Sequence, residues 1–132
     1  MRPGLLVGHQ ETLEMTVTEE MFPAFAGKVV HETMSTVSMV YYMEWVGRLV
    51  ILPFLEEWEE GIGGGIAVHH LAPAPRGTRV RFTAEVAEVT GPKVVCNVWG
   101  EHDQARVGEG QLVQFILEKR TIDERISSMK SL

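Results

Sequence analysis

Three polar side chains stand out in apolar company along this chain: Thr36, Glu44 and His70. A hydroxyl, a carboxylate and an imidazole are the groups on which nucleophilic and general acid–base catalysis draw. Glu44 is the most demanding of the three. It lies within residues 34–52, MSTVSMVYYMEWVGRLVIL, whose only other charged residue is Arg48. A carboxylate inside so apolar a stretch is costly unless it is paired or used. Desolvation in general raises a carboxyl pKa, which suits a proton-transfer group better than a structural one.

The elements that must position these residues follow from the hydrophobic pattern. Residues 34–52 read as one long helix, apolar on nearly every face and so expected in the interior. Ser35 or Thr36 can serve as its N-cap, and Pro53 closes or bends it. Ahead of it, residues 13–17 alternate as a short strand, and residues 21–32 form a connection that folds over something. After it, EEWEEG (56–61) reads as a solvated acidic turn. The Gly63-Gly64-Gly65 triplet opens a strand over 66–71 that points Ile66, Val68 and His70 one way. Strands follow at 79–86, around Val94, Cys96 and Val98, and at 111–119 after Gly108 and Gly110. The tail 120–132 is polar and expected to fray or pack loosely. One strand, one helix and then four hairpin-linked strands predict an α+β fold, with an antiparallel sheet curled around the helix. The exposed edges of so small a sheet favour pairing with a second subunit.

Composition narrows the function. The 132 residues suit one domain with one core. Eighteen acidic against twelve basic residues, net −6, argue against nucleic acid as partner. The lone Cys96 excludes an intrachain disulfide and fits a reducing, cytoplasmic compartment. The apolar run is interrupted by Glu44, Arg48 and Pro53, which disfavours a membrane span. His69 and His70 are strand neighbours pointing to opposite faces, so they cannot chelate one metal ion, and His9, His31 and His102 show no ligand spacing. The glycine triplet precedes a strand, which is not the setting of a dinucleotide-binding loop.

The spacing T-x7-E, the string MEW (43–45) and the run VHHLAPAPRG (68–77) resemble the hotdog-fold thioesterases, most closely the fluoroacetyl-CoA thioesterase type. The resemblance extends from the first strand to Lys119. It implies one hotdog domain over 1–132, a sheet wrapped around a central helix. It further implies hydrolysis of a small acyl-CoA thioester, with no cofactor beyond the coenzyme A of the substrate. By the same resemblance the catalytic threonine, glutamate and histidine fall on Thr36, Glu44 and His70. The acyl-lining glycine falls within Gly63, Gly64 and Gly65. The protein is expected to be a homodimer, or a dimer of such dimers, with its site at the subunit interface. Arg76, Arg79 and Arg81, with Lys119 and Arg120, are the basic groups open to the coenzyme A phosphates. One departure stands out. The fluoroacetyl-specific relative closes its site with phenylalanines just before the threonine, whereas GKVVHETMS (27–35) has no aromatic residue. Phe22 and Phe25 lie further upstream and do not align.

Simpler accounts compete with each assignment. Glu44 can form an i,i+4 ion pair with Arg48, His70 can be a structural histidine bonded to backbone, and Thr36 can be an N-cap. The arginines can serve solubility alone. Thr36 and Glu44 also lie roughly 12 Å apart along one helix at about 1.5 Å per residue. Either the helix starts after Thr36 or the site is completed across a dimer, which is the reading preferred here. A hotdog hydratase and a non-catalytic acyl-thioester binder remain the alternative functions.

Overall fold

The computed structural model describes residues 1–130. Its elements in chain order are β1 (Gln10–Thr16), a small hairpin of β2 (Ala24–Phe25) and β3 (Lys28–Val29), α1 (Thr36–Ile51), β4 (Glu59–His70), β5 (Arg79–Thr90), β6 (Lys93–His102), β7 (Ala105–Glu118) and α2 (Lys119–Lys130). The five long strands form one antiparallel sheet in the order β1-β5-β6-β7-β4. It packs its inward residues on α1, giving the expected α+β arrangement. In β5 the alternation read from sequence is kept, with Val80, Phe82, Ala84 and Val86 all buried.

The sheet covers only one side of α1, and here the expectation of a wholly interior helix is corrected. Met39, Met43, Val46, Val50 and Ile51 are buried against the sheet. Val37, Tyr41, Glu44 and Trp45 form the opposite stripe and remain open, because a single five-stranded sheet curves around less than the full circumference. Gly47 lies on the buried side, where a Cβ would stand 2.2 Å from Leu112 Cδ2. Its bare backbone lets the helix sit close on β7.

Several element ends differ from the sequence reading. The strand carrying His70 begins at Glu59, so Glu59, Glu60 and Gly61 belong to β4 rather than to an acidic turn. Glu60 is held by Arg48 at 2.9 Å, and that hydrogen bond keeps its carboxyl below the usual range. Gly108 and Gly110 lie inside β7 and not before it. The tail is ordered as α2 over Lys119–Lys130, where a Lys119 N–H bond to the Trp58 carbonyl (2.7 Å) fixes its start. Residues 131 and 132 of the predicted tail lie outside the described residues. The connection at 21–32 folds into the β2–β3 hairpin, whose turn places Ala26 and Gly27 at φ 52° and 79°, the paired positive values of a tight hairpin turn.

The β4–β7 pair carries His70, and it depends on backbone approach at Gly110. A Cβ there would meet the Ala67 carbonyl oxygen at 2.1 Å and Val68 Cα at 2.8 Å, both rigid backbone atoms. Gly110→Ala is therefore expected to cost about 1–3 kcal/mol or more in urea unfolding, as overpacking does. Gly65→Ala, where a Cβ meets nothing within 4 Å, is expected to stay within about 0.5 kcal/mol. Equal stability of the two variants would contradict the close approach.

Candidate active site

Ser35 takes the capping position that Thr36 could have filled. Ser35, extended at φ −71° and ψ 159°, caps α1 by accepting the Ser38 N–H at 3.0 Å. Of the two caps open on sequence, the structure thus selects Ser35, and Thr36 becomes the first helical residue. Its Oγ1 lies 2.8 Å from His70 Nδ1. Two features bring these residues together from 34 positions apart. Strand alternation in β4 turns Ile66, Val68 and His70 to the side of the helix. The segment before α1 is then laced to the loop after β4, by Met34 N–H to the Ala74 carbonyl (2.9 Å) and Arg76 N–H to the Glu32 carbonyl (3.1 Å).

The His70 ring keeps much of its surface open, yet it is crowded enough for desolvation to lower its pKa below the ordinary 6.5. A backbone hydrogen bond with Ala72 works weakly the other way. That desolvation favours the neutral imidazole. With its proton on Nε2, the Nδ1 lone pair can accept the Thr36 hydroxyl proton. A structural histidine bonded only to backbone does not describe it.

Glu44 occupies a different place. It lies two turns along the same unbroken helix, on the exposed stripe, so one chain does not join it to Thr36. The ion pair with Arg48 does not form, because Arg48 turns to Glu60. Among the described residues no hydrogen bond or ion pair engages the Glu44 carboxylate. It faces a cavity of about 310 Å³ lined by Tyr41, Trp45, Arg48 and Gln114. Gly63 lies across from it, and a Cβ at that position would stand 3.7 Å from Glu44 Oε1. Gln114 was not singled out by the sequence reading. Its buried amide donates to the Gly47 carbonyl at 3.0 Å. The signal for it was legible: a glutamine on the inward face of β7 between Leu112 and Ile116.

The remaining candidates scatter. Gly64 is the extra residue of a β-bulge between Gly63 and Gly65, and a Cβ on it would strike the Phe115 ring at 2.4 Å. Gly65 is open. Arg76 is held by Glu19 at 2.6 Å, with Glu32 at 4.0 Å, while Arg120 on α2 pairs with Glu124 at 3.2 Å. Arg79 and Arg81 both grip Glu14, whose carboxyl they hold below its usual range. Exposed pairs of this kind are worth little. Phe22 is buried in the core, and Phe25 stands 71% exposed on the β2–β3 hairpin. The Cys96 thiol is buried and pushed up to about 11, so it is no nucleophile.

The profile of the fluoroacetyl-CoA-specific thioesterase family matches residues 17–120. The chain belongs to that family. A fluoroacetyl-CoA thioesterase of Streptantibioticus cattleyicolor is 30% identical over 134 residues, spanning 96% of this chain and 95% of its own. A hypothetical protein of Thermus thermophilus, a thioesterase superfamily member, superposes with a TM-score of 0.94 at 38% identity. That match covers 99% of this chain and 96% of the other. A hot-dog-like protein from Thermanaerovibrio acidaminovorans shares the fold, with a TM-score of 0.87 at 24% identity over 97% and 93% of the two chains. The family member described here is accordingly a thioesterase with the hotdog fold. Among its described residues no helix is long and apolar enough to cross a membrane.

The crowding of His70 has a direct consequence. Its imidazole is expected to titrate below 6.5 in a pH series of NMR spectra, because burial disfavours the cation. A midpoint at or above 6.5 in the folded protein would show that the ring is not desolvated.

Proposed function

We propose that this thioesterase hydrolyses acyl-CoA thioesters, at a site where Thr36 and His70 of one subunit meet Glu44 and Gly63 of another. The observation that carries the reading is the Thr36–His70 contact of 2.8 Å, with an imidazole whose neutral form desolvation favours. Both halves are exposed in the single chain, and each lacks what the other holds. The long strand β4 lies at the edge of the sheet and, among the described residues, pairs only with β7, which favours a homodimer joined along that edge. Dimers of that dimer remain compatible with this arrangement.

In this reading Thr36 Oγ1 attacks the thioester carbonyl carbon while His70 Nδ1 takes its proton. The N–H groups at the start of α1 that Ser35 does not engage, and the helix dipole, stabilise the oxyanion. Collapse of the tetrahedral adduct breaks the C–S bond, and the coenzyme A thiolate leaves with the proton from His70. Glu44 then accepts a proton from a water molecule that attacks the acyl-threonine, and collapse of that adduct breaks the C–O bond to Thr36, whose Oγ1 takes up the proton held by Glu44. The released acid and the restored hydroxyl close the cycle. Should Thr36 only position the carbonyl, the same Glu44 and His70 would deliver water directly. Arg76 and Arg120 can exchange their carboxylate partners for coenzyme A phosphates.

The test combines substitution with subunit mixing. Glu44→Gln and Thr36→Val are each expected to fold and to lose on the order of 10²–10⁴ in rate. Refolding the two together should restore about a quarter of wild-type activity, since random assortment leaves one intact shared site in half of the dimers. No recovery from mixed dimers would place all three residues in one subunit. Near wild-type turnover by folded Glu44→Gln would remove Glu44 from the chemistry.

Acyl selectivity follows from the missing lid. Segment 27–35 carries no aromatic side chain, Phe22 is occupied in the core, and Phe25 points into solvent. A pocket without such devices separates near-isosteres by about 1–3 kcal/mol. The ratio of kcat/KM for fluoroacetyl-CoA over acetyl-CoA should therefore stay within roughly 200-fold, the top of that range, and well below a thousandfold. A larger ratio would mean that another element, with Phe25 first in line, closes over the acyl group.

A further inference from the structure

We propose that the cavity beside Glu44 receives a planar aryl acyl group, with Tyr41 and Trp45 as its two walls. This inference rests on the acyl-thioesterase reading and names the acyl class that the site takes. Tyr41, Glu44 and Trp45 share one face of α1, so the free carboxylate and both rings open on the same space. The rings are held in place. Trp45 stacks on Tyr42 at 6.1 Å and 17°, and Tyr42 stacks on the fully buried Phe82 at 5.7 Å and 23°. Tyr41 stands edge-on to both, at 5.1 Å from Tyr42 and 5.9 Å from Trp45, its plane turned 68° from the indole.

The result is a corner of two aromatic surfaces, 58% and 44% exposed, beside a carboxylate that no described residue engages. Its volume of about 310 Å³ is at the small end of ligand sites, enough for an acyl group but not for a whole coenzyme A. Gly63 keeps the opposite side open, and Gln114 is tied to the Gly47 carbonyl. A planar ring entering the corner can stack on one wall and meet the other edge-to-face, and each such pair adds roughly two- to tenfold beyond buried area. An acetyl group reaches neither wall with more than a methyl. With no aromatic residue in 27–35 to fill the space, the corner is left for the substrate.

The experiment measures kcat/KM of the full-length protein for acetyl-, butyryl-, cyclohexylacetyl- and phenylacetyl-CoA, by release of free thiol. Phenylacetyl-CoA is expected to exceed acetyl-CoA by at least about tenfold, and cyclohexylacetyl-CoA, of similar bulk without a π face, by severalfold less. Tyr41→Ala and Trp45→Leu should each lower the phenylacetyl-to-acetyl ratio by about tenfold, while Tyr41→Phe keeps it, because the ring and not the hydroxyl makes the wall. A wild-type ratio near one would overturn the proposal. So would an equal loss on every substrate with dissociation of the dimer in sedimentation, since the rings would then be a subunit contact. For variants that do not fold, nuclear Overhauser contacts from phenylacetate ring protons to Tyr41 and Trp45 of the wild type decide, and their absence counts against it. Glu44-dependent hydrolysis of acetyl-CoA without aryl preference defeats this inference alone. Failure to hydrolyse any acyl-CoA defeats the underlying reading with it.

Discussion

Helix α1 runs unbroken from Thr36 to Ile51, and an α-helix has a fixed rise. That rise separates Thr36 from Glu44 by two turns and nothing in the chain can shorten it. Every other feature of the site answers to this separation. In the proposed site the first turn, with its cap, its outward N–H groups and the hydroxyl on His70, makes one half. The exposed stripe two turns on, with Glu44, Tyr41 and Trp45, makes the other half of that proposal. A sheet that covers only one side of the helix leaves both halves open. The proposed dimer follows from joining two incomplete halves, not from any fault in either.

The sheet serves the site through backbone approach. Gly110 and Gly108 let β7 lie against β4, and Gly47 lets α1 sit down on Leu112. The bulge at Gly64 shifts the register of β4 directly after Gly63, the glycine that faces Glu44, and six residues before His70. From there strict alternation carries Ile66, Val68 and His70 to the helix side. Two main-chain hydrogen bonds from the loop after β4 to the segment before α1 then close the gap of 34 residues between Thr36 and His70. These are short-range constraints, each set by one residue type at one place. Their sum positions a hydroxyl within hydrogen-bond distance of a desolvated imidazole.

Much of this was legible because local pattern suffices for it. Period-two alternation located the inward faces of β4 and β5, and the long apolar run located α1. What the pattern missed were ends and partners. Glu59 and Glu60 looked solvated, yet one continues a strand pairing with β7 and the other holds Arg48. The polar tail from residue 120 looked loose, yet residues 120–130 continue a helix that starts at Lys119, directly after β7. Gln114 passed unnoticed because a single inward amide gains its meaning only from the Gly47 carbonyl opposite.

The sequence by itself determined the element order, the inward faces, the apolar helix with its lone central carboxylate and the family to which the chain belongs. These depend on residue type and periodicity, which a linear chain displays in full. The tertiary structure decided which polar groups meet. It gave the cap to Ser35 and the hydroxyl of Thr36 to His70, and it took Arg48 from Glu44. It also turned one stripe of α1 outward. The physical reason is that hydrogen bonds and ion pairs form between nearest neighbours in space. For residues dozens of positions apart, those neighbours are set by how the sheet curves and where its loops are tied.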